Sequence, residues 1–516
     1  MTMHTRLHRL LALLLALAFC LQALHGGGLL DGFGLDSEAV EHEKDYTCEP
    51  KPPPKPPAQH SGAEGLPPLP LPAVPLRRTE KKNPPRAPVL IAKIATKRKS
   101  DWATNPGDTK NLLRWMAKNL DVHFSSMNIP EGRIPASAEE IPILYRTGHE
   151  AFEFSETARE RLRQYLMNGG TLILDACCGR REFVVSALRE MQRLVPERPP
   201  YRLTLDHPLY HSYFDITRPE YRPGAKEAGA RDGTPGVIGI DIECRTAVFF
   251  FRWDVSCGWD RLQDSERHRC LGYTIDSAQK LGANLMAYIT AERNVATPLS
   301  KALQFVDADN TQAGKFVIAQ AKYHGHWKTR EAALPMLLNS FHDQTEAPVR
   351  FESEVVAIES PRLFDVPFLY MTGHQAFEFT EAERRNLRAY LQRGGVLFAE
   401  ACCGRAGFDA AFRAQIRRVF PDRHFVEIPA KHPLYMFPNR IVSVQPRASL
   451  ARKLNAEGSI PPRLLGISID GALSVVYSPY GLACGWELAQ CPYCNGIEAK
   501  DALGLGVNIL TYSLLQ

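Results

Sequence analysis

Short apolar runs of strand length alternate with helical patterns along most of the chain. In the second half the apolar runs fall at residues 316–321, 368–370, 396–400 and 425–428, with helical periodicity between them at 332–341, 380–393 and 408–420. Thr380 and Glu383 form a capping box where the second of these helices begins, and Gly394 and Gly395 end it. This alternation predicts α/β domains with a mainly parallel sheet covered on both faces.

Two further apolar runs lie close together near the end of each half, at residues 237–242 and 247–251 and again at 464–469 and 473–477. Runs this close predict a β-hairpin added to the parallel strands. A final helix is predicted from about residue 277 to 289 and from about residue 499 to 514.

The chain is a tandem repeat. Thr147-Gly148-His149 recurs as Thr372-Gly373-His374, and Cys177-Cys178-Gly179 recurs at the same offset as Cys402-Cys403-Gly404. Each unit has about 200 residues, which is the size of one domain. The predicted domains are residues 89–300 and residues 314–516.

The first 25 residues have the pattern of a secretory signal peptide. Arg6, His8 and Arg9 precede an apolar run at residues 10–24 that is too short to be a comfortable membrane span. Residues 26–88 are rich in proline and lack periodicity, which predicts a disordered, extended linker. We therefore expect export to the periplasm or cell envelope, with a lipid anchor on Cys20 as the alternative to a plain signal.

Charge and hydropathy narrow the range of partners. The formal net charge is +5, and no basic stripe is interleaved with aromatic residues, so no nucleic-acid partner is expected. No apolar run after the signal is long enough to cross a bilayer. Membrane contact is therefore expected only through the N-terminal signal segment or a lipid anchor, and no cofactor is predicted.

Cysteine is frequent in both repeats. The chain has 12 cysteines, and apart from Cys20 and Cys48 each repeat holds five of them, which in an exported protein predicts disulfides. The expected bridges join Cys177 or Cys178 to Cys257, Cys402 or Cys403 to Cys484, and Cys491 to Cys494. The last pair belongs to a Cys-Pro-Tyr-Cys tetrapeptide typical of glutaredoxin active sites, but it lies in a loop without a counterpart in the first repeat. A local loop disulfide is therefore favoured there.

Chemically active side chains follow the predicted strands at their carboxyl ends, where open parallel sheets bind ligands. In the first repeat His149 follows one strand, and Cys177 and Cys178 follow the next, directly after Asp175. His207 follows a later strand and is expected at the same edge. A crevice is therefore predicted in each repeat, with candidate catalytic residues Cys177, His149, Cys402 and His374 and candidate binding residues Asp175, Cys178, His207, Glu400, Cys403 and His432.

The succession of motifs resembles a bacterial family known as domain of unknown function 4159. The resemblance is carried by Tyr-x-Thr-Gly-His-x-x-Phe-x-Phe, the Cys-Cys-Gly turn, His-Pro-Leu-Tyr and the closing Gly-x-Asn, and it covers both repeats. The family is grouped with class I glutamine amidotransferase-like folds, so the resemblance implies flavodoxin-like, three-layer domains. The family's activity is not established, and the resemblance therefore implies no reaction.

Three interpretations of the thiols stay open. The Cys-Cys-Gly turn occupies the position of an amidotransferase nucleophile elbow, which implies Cys177 or Cys402 as a nucleophile with a histidine base. Asp175 stands where that elbow requires glycine, and the His-x-Glu pair of the amidotransferase triad is missing. Structural disulfides are the second interpretation. A metal site formed by His149, Cys177, Cys178 and His207 is the third, but its spacing is unlike a compact zinc motif, so no metal is predicted.

The leading functional hypothesis is a binding or scaffold protein of the cell envelope. Its sheet-edge crevices are expected to recognise a small-molecule or carbohydrate-like ligand. A Cys/His-dependent hydrolase or amidotransferase-like enzyme, acting in one or both repeats, is the alternative.

Overall fold

The structure, a computed structural model, describes residues 87–96, 99–139, 141–265, 268–292, 316–350, 354–489 and 491–515. The predicted signal peptide, the linker up to residue 86 and the segment 293–315 between the repeats lie outside the described residues, as do Cys20 and Cys48. The export signal and the lipid anchor therefore stay predictions.

The first domain is built on a seven-stranded sheet in the order β2-β1-β3-β4-β7-β6-β5. Its strands are β1 (Val89–Ala95), β2 (Ser125–Pro130), β3 (Ile143–Gly148), β4 (Thr171–Ala176), β5 (Tyr201–Arg202), β6 (Val237–Ile242) and β7 (Arg245–Phe251). Its helices are α1 (Lys99–Trp102), α2 (Asp108–Leu120), α3 (Glu156–Met167), α4 (Arg181–Leu194), α5 (Pro223–Glu227), α6 (Ser256–Trp259) and α7 (Ile275–Glu292).

The second domain repeats this sheet strand for strand, in the order β9-β8-β10-β11-β14-β13-β12. Its strands are β8 (Ile318–Lys322), β9 (Glu354–Ala357), β10 (Phe368–Gly373), β11 (Val396–Ala401), β12 (Val426–Glu427), β13 (Leu465–Ile469) and β14 (Ala472–Ser478). Its helices are α8 (Ala333–Thr345), α9 (Glu381–Gln392), α10 (Ala406–Val419), α11 (Ala448–Leu454), α12 (Ala483–Trp486) and α13 (Ala499–Leu514).

Five neighbouring strands of each sheet are parallel, and the last two are antiparallel. In the first domain β4 pairs in parallel with both β3 and β7, whereas β6 is antiparallel to β7 and to β5. The second domain pairs β13 and β14 in the same antiparallel way. The predictions of two tandem, mainly parallel α/β domains, each with a late hairpin, are confirmed.

Each sheet has helices on both faces, and each face has its own apolar core. In the first domain Leu144 and Leu172 pack in one cluster with α3 and α4, and Tyr145 and Ile173 pack in the other with α2 and α7. Successive residues of a strand point to opposite faces, so a strand covered on both sides is apolar throughout. Burying one such leucine stabilises the fold by about 1.5–3 kcal/mol.

The predicted capping box is present at the start of α9. The Thr380 side chain accepts a hydrogen bond from Glu383 N at 3.1 Å, and the Glu383 carboxylate accepts one from Thr380 N at 2.8 Å. Leu387 and Leu391, which lie one helical turn apart in α9, are at most 1% exposed. The local sequence signals therefore agree with the tertiary packing of this helix.

The edge strands β2 and β9 were not predicted from the sequence. The segment Ser125–Pro130 has one buried residue, Ile129, because β2 pairs on one side only. A half-exposed edge strand needs little apolar surface, so its sequence lacks the periodicity that marks the central strands. Among the described helices, none is both long and apolar enough to cross a membrane.

The two domains contact each other at the hairpin of the first domain. Cys244 lies in the turn between β6 and β7, is 2% exposed, and has its Sγ atom 3.4 Å from Cys402 Sγ of the second domain. Nearby, the rings of Tyr288 and Tyr493 stack with centroids 5.4 Å apart. The first domain therefore contributes side chains to the thiol-rich part of the second.

Candidate functional site

The Cys-Cys-Gly turns lie where β4 and β11 end, as 3-10 turns at Cys177–Gly179 and Cys402–Gly404. Cys178 and Cys403 both have φ of 54°, in the left-handed region. A non-glycine residue in such a conformation is uncommon and costs about 1–3 kcal/mol, so the surrounding structure must hold it there. The same strained residue in both repeats indicates that the direction of its thiol matters.

Asp175 and Glu400 serve the loops rather than an open crevice. Asp175 Oδ1 accepts a hydrogen bond from Val255 N at 3.0 Å, and Glu400 Oε2 accepts one from Leu482 N at 2.5 Å. Both carboxyls are fully buried, and burial raises the pKa of each to about 7. These two carboxyl groups therefore hold the segments that carry Cys257 and Cys484 against the sheet.

Three atoms of the kinds that bind metals lie close together beside the Cys177–Gly179 turn. Cys178 Sγ lies 3.8 Å from Cys257 Sγ, and His268 Nε2 lies 3.6 Å from the first sulfur and 3.5 Å from the second. Cys270 belongs to the same buried cluster, and its thiol interacts with those of Cys178 and Cys257. Two thiols and one imidazole therefore surround a common centre, and a third thiol belongs to the same cluster.

His268 is oriented by a second contact on the far side of its ring. Nδ1 lies 3.1 Å from the backbone oxygen of Gln263, and the residue is 7% exposed. When Nδ1 carries the proton and donates to that carbonyl, the lone pair of Nε2 points at the two sulfurs. A histidine that donates its other N–H to a carbonyl in this way is the usual arrangement of a metal ligand.

The second domain has an equivalent but larger cluster. The sulfurs of Cys403 and Cys484 are 3.3 Å apart, and Cys491 and Cys494 lie in the same buried group. Each of these four residues is at most 5% exposed.

The Cys-Pro-Tyr-Cys loop has a structural counterpart in the first domain, contrary to the sequence-based interpretation. Cys270 and Cys494 each stand two residues before a glycine, Gly272 or Gly496, that forms an equivalent backbone bridge, to Asp254 and to Gly481 respectively. His268 therefore occupies the place that Cys491 takes in the second domain. The loops differ in length, so the sequence alignment alone hides this equivalence.

The predicted disulfides are not formed in this structure. Within the described residues none of the ten cysteines is joined in a disulfide. The closest predicted partners, Cys403 and Cys484, have sulfurs 3.3 Å apart, whereas a disulfide bond is about 2.05 Å long. The sulfurs of the first predicted pair are further apart still, at 3.8 Å for Cys178 and Cys257.

His149 lies within interacting distance of Cys177, as the enzyme hypothesis requires. Burial lowers the pKa of His149, but the negative charge of the Cys177 thiolate and a hydrogen bond with it outweigh burial, so the pKa is raised. Cys177 itself is fully buried, as is Cys402 in the second domain. A thiol without exposed surface offers a substrate no approach, so this geometry does not favour a nucleophile.

His207 and His432 hold short turns instead of joining the thiols. The Nδ1 atom of His207 accepts a hydrogen bond from Leu209 N at 3.0 Å, and that of His432 accepts one from Leu434 N at 3.2 Å. His207 also lines a small cavity between the domains, of about 190 Å³, together with His374. The predicted convergence of His207 with the first Cys-Cys-Gly turn is therefore wrong.

Several important residues were missed at the sequence level: His268, Cys270 as a partner of the turn, Cys244 and Arg330. The signal available for the first two was the closely spaced His268-x-Cys270 before a glycine, which parallels Cys491 and Cys494. Cys244 and Arg330 carry no local motif, because they meet the thiols only through tertiary contacts.

Fold and thiols together define a duplicated α/β protein with a buried cysteine cluster in each unit. The family model described as "Domain of unknown function (DUF4159)" matches residues 90–290 and 317–514, and the chain belongs to this family. No curated protein matches the chain.

One solved structure among those that match is an exo-beta-1,4-mannosidase, Op5Man5 from Opitutaceae bacterium strain TAV5. It aligns with 73% of this chain at 11% sequence identity and a TM-score of 0.22. The chain spans 60% of the length of that enzyme. A similarity this low gives no basis for transferring fold or activity.

Proposed function

We propose that this protein is an exported metal-binding protein in which each domain holds one zinc-type ion between the Cys-Cys-Gly turn and the loop before the last helix. The ligands in the first domain are Cys178, Cys257, His268 and Cys270. Those in the second domain are Cys403, Cys484, Cys491 and Cys494.

The spacing of the ligand atoms in the first domain carries this proposal. Tetrahedral zinc with Zn–S of about 2.3 Å and Zn–N of about 2.0–2.1 Å has S···S edges of about 3.8 Å and S···N edges of about 3.5 Å. The Cys178–Cys257 sulfur distance is 3.8 Å, and the distances from these sulfurs to His268 Nε2 are 3.6 and 3.5 Å. Three of the six edges of a zinc tetrahedron thus have the expected lengths.

The surroundings of the thiols favour a metal over a disulfide. A disulfide would use two sulfurs and leave the Nε2 lone pair of His268 facing them without a role. Asp254 accepts hydrogen bonds from Cys178 N and from Cys257 N, so the backbone of both ligands is fixed. Arg222, 4% exposed, donates to Leu262 O and Tyr273 O and so holds both ends of the loop that carries His268 and Cys270.

The proposed ions have a structural role. Four protein ligands leave no open coordination position, which is the pattern of structural rather than catalytic zinc. In each domain the ligands tie the end of the central strand to the short helix after the hairpin and to the last loop. The metal then provides the cross-link that the sequence suggested disulfides would provide.

A ligand-binding role in the envelope is a second candidate function, favoured by an open cleft of about 970 Å³ in the first domain. It lies where β1, β2 and β3 end, at the point where strand order reverses and open α/β sheets bind ligands. Phe152 and Phe154 line it, beside Arg146, which is 2% exposed and whose Nε has no hydrogen-bond partner among the described residues. Aromatic and charged groups together suit a carbohydrate-like or other small polar ligand.

Calorimetric titration with a panel of soluble oligosaccharides tests whether the cleft binds such a ligand. Equal heats of binding for wild type and Phe152→Ala would count against the cleft as the binding site.

Metal analysis of the full-length protein tests the metal proposal. The chain is produced with added zinc and purified without oxygen, and bound metal is measured by mass spectrometry. We expect Cys178→Ser to lose one ion per chain, whereas Cys177→Ser, at the equally buried neighbouring position, keeps the wild-type content. Cobalt substitution should give thiolate-to-metal absorption that weakens in Cys178→Ser. A Cys178→Ser protein with unchanged metal content would refute the proposed ligand set.

A further inference from the structure

Cys244 occupies an unusual place for a buried residue. It stands at the tip of the two-residue turn between β6 and β7 and is nevertheless 2% exposed. The equivalent turn of the second domain, Asp470-Gly471, is exposed. A hairpin tip normally faces solvent, so the burial of Cys244 is due to the second domain, which covers it.

Several of the groups around Cys244 are potential metal ligands. Its Sγ atom lies 3.4 Å from Cys402 Sγ and 3.6 Å from Cys484 Sγ. Ligand atoms of Cys244, His374, Cys402 and Cys403 all lie within 4.8 Å of one another, and all four residues are buried. This set is separate from the four ligands already assigned in the second domain except for Cys403.

His374 adds an independent observation. The residue is 5% exposed, and neither ring nitrogen makes a hydrogen bond within the described structure. Nδ1 lies 3.5 Å from the Asp241 carboxylate, close enough for an ionic contact but long for a hydrogen bond. A buried imidazole without a hydrogen bond is costly unless something binds it, and a carboxylate beside a ring nitrogen is the usual support for a metal-ligating histidine.

We propose that the second domain binds a second metal ion through Cys244, His374, Cys402 and Cys403, so that one ion is shared between the two domains. This inference rests on the proposed function, because Cys403 would then bridge the two ions. Two tetrahedra that share one corner need seven ligands. The cluster supplies seven: Cys244, His374, Cys402, Cys403, Cys484, Cys491 and Cys494.

The first domain has fewer candidate ligands: ligand atoms of Cys177, Cys178, Asp254 and Cys257 lie within 4.8 Å of one another, but without a cysteine from a neighbouring domain. It has the equivalents of His374 and Cys402, namely His149 and Cys177, but no residue in the position of Cys244. Instead, Asn105 places its side-chain nitrogen 3.3 Å from Cys177 Sγ and 3.4 Å from Cys257 Sγ. The Cys177 sulfur thus accepts a hydrogen bond from a neutral amide and needs no second metal ion.

Charge also favours two ions in the second domain. Six buried thiolates around one divalent ion would leave a large uncompensated negative charge, and a second divalent ion removes half of it. At the position equivalent to Asn105, the second domain has Arg330, whose Nε lies 2.8 Å from Cys244 Sγ. This buried guanidinium offsets part of the remaining charge.

Metal content and magnetic coupling in the full-length protein test the proposal. We expect three cobalt ions per chain at saturation, with two of them magnetically coupled through the bridging thiolate, so that their electron paramagnetic resonance signal is weaker than that of three isolated ions. Cys402→Ser should lose one ion and the coupling. Cys177→Ser, the equivalent change in the first domain, should lose neither.

Cys244→Ser is the variant that reports on sharing between the domains. A circular dichroism spectrum like that of wild type checks that this variant is folded. Loss of one ion in both Cys244→Ser and Cys402→Ser supports the shared site. Two ions per chain in wild type, retained in Cys244→Ser and reduced to one in Cys178→Ser, would overturn the shared site and leave the proposed function intact. Absence of bound metal in the wild type would overturn both.

Discussion

Removing the metal should lower the thermal stability of both domains by an amount that the structure allows us to estimate. In the first domain the proposed ion joins Cys178 to Cys257, which are 79 positions apart, and in the second it joins Cys403 to Cys484, 81 positions apart. Cross-linking a loop of this length restricts the unfolded chain by about 4.5 kcal/mol in the chain-entropy model. For a domain of about 200 residues, 1 kcal/mol corresponds to roughly 2–4 °C in Tm, so a loss of roughly 9–18 °C is expected.

The measurement is a calorimetric melt of the full-length protein with zinc and after exhaustive chelation, both with a thiol reductant so that no disulfide replaces the metal. Magnesium is the control ion, because it prefers oxygen ligands and should not restore Tm. Equal melting temperatures for the zinc-loaded and chelated protein, within about 2 °C, would refute the reasoning, since a cross-link worth about 4.5 kcal/mol could not then be present.

Two further predictions concern residues outside the ligand sets. Burial raises the pKa of Glu292 to about 7, above its unfolded value near 4.5, so its contribution to stability is full below pH 4.5 and is lost as the pH rises through 7. Glu292→Gln should exceed wild type in urea unfolding by less than about 1 kcal/mol at pH 5 and by up to about 3 kcal/mol at pH 8; equal stability at pH 8 would contradict this. Gly179 has φ of 67° and a Cβ there would lie 2.8 Å from Leu271 O, whereas Gly229 has φ of 95° with open space around it. Gly179→Ala should therefore destabilise more than Gly229→Ala, by about 1–3 kcal/mol in the same assay, and similar losses would show that backbone conformation alone sets the cost.

The sequence predicted the strands that are buried on both faces of the sheet. It did not predict the edge strands, which are partly exposed. Central strands such as β4 and β10 are buried along their whole length, because helices cover both faces, and most of their residues are apolar, so their pattern is unambiguous. Edge strand β2 pairs on one side and buries only Ile129, and no local signal distinguishes it from a loop. The duplication helped, because the same motifs in both halves fixed the equivalence of most elements.

The candidate site was predictable only in part. The recurrence of Cys-Cys-Gly with a later cysteine before Gly-Trp pointed to Cys257 and Cys484, whose sulfurs do lie beside the turns. The left-handed conformation at Cys178 and Cys403 determines which cysteine of each Cys-Cys-Gly turn faces Cys257 or Cys484. No residue pattern predicts that conformation. The position of Cys244 follows from domain docking, which depends on surfaces far apart in the sequence.

The contact made by the buried hairpin tip is directional, because the two domains use different surfaces in it. The first domain inserts Glu243-Cys244 into the second, but the second domain ends the same hairpin with the exposed pair Asp470-Gly471. The contact is thus head-to-tail, and a head-to-tail contact between equivalent units generates an open chain unless something ends it. Gly471 stands at the position of Cys244, so the second tip lacks the thiol that could engage another unit in the same way.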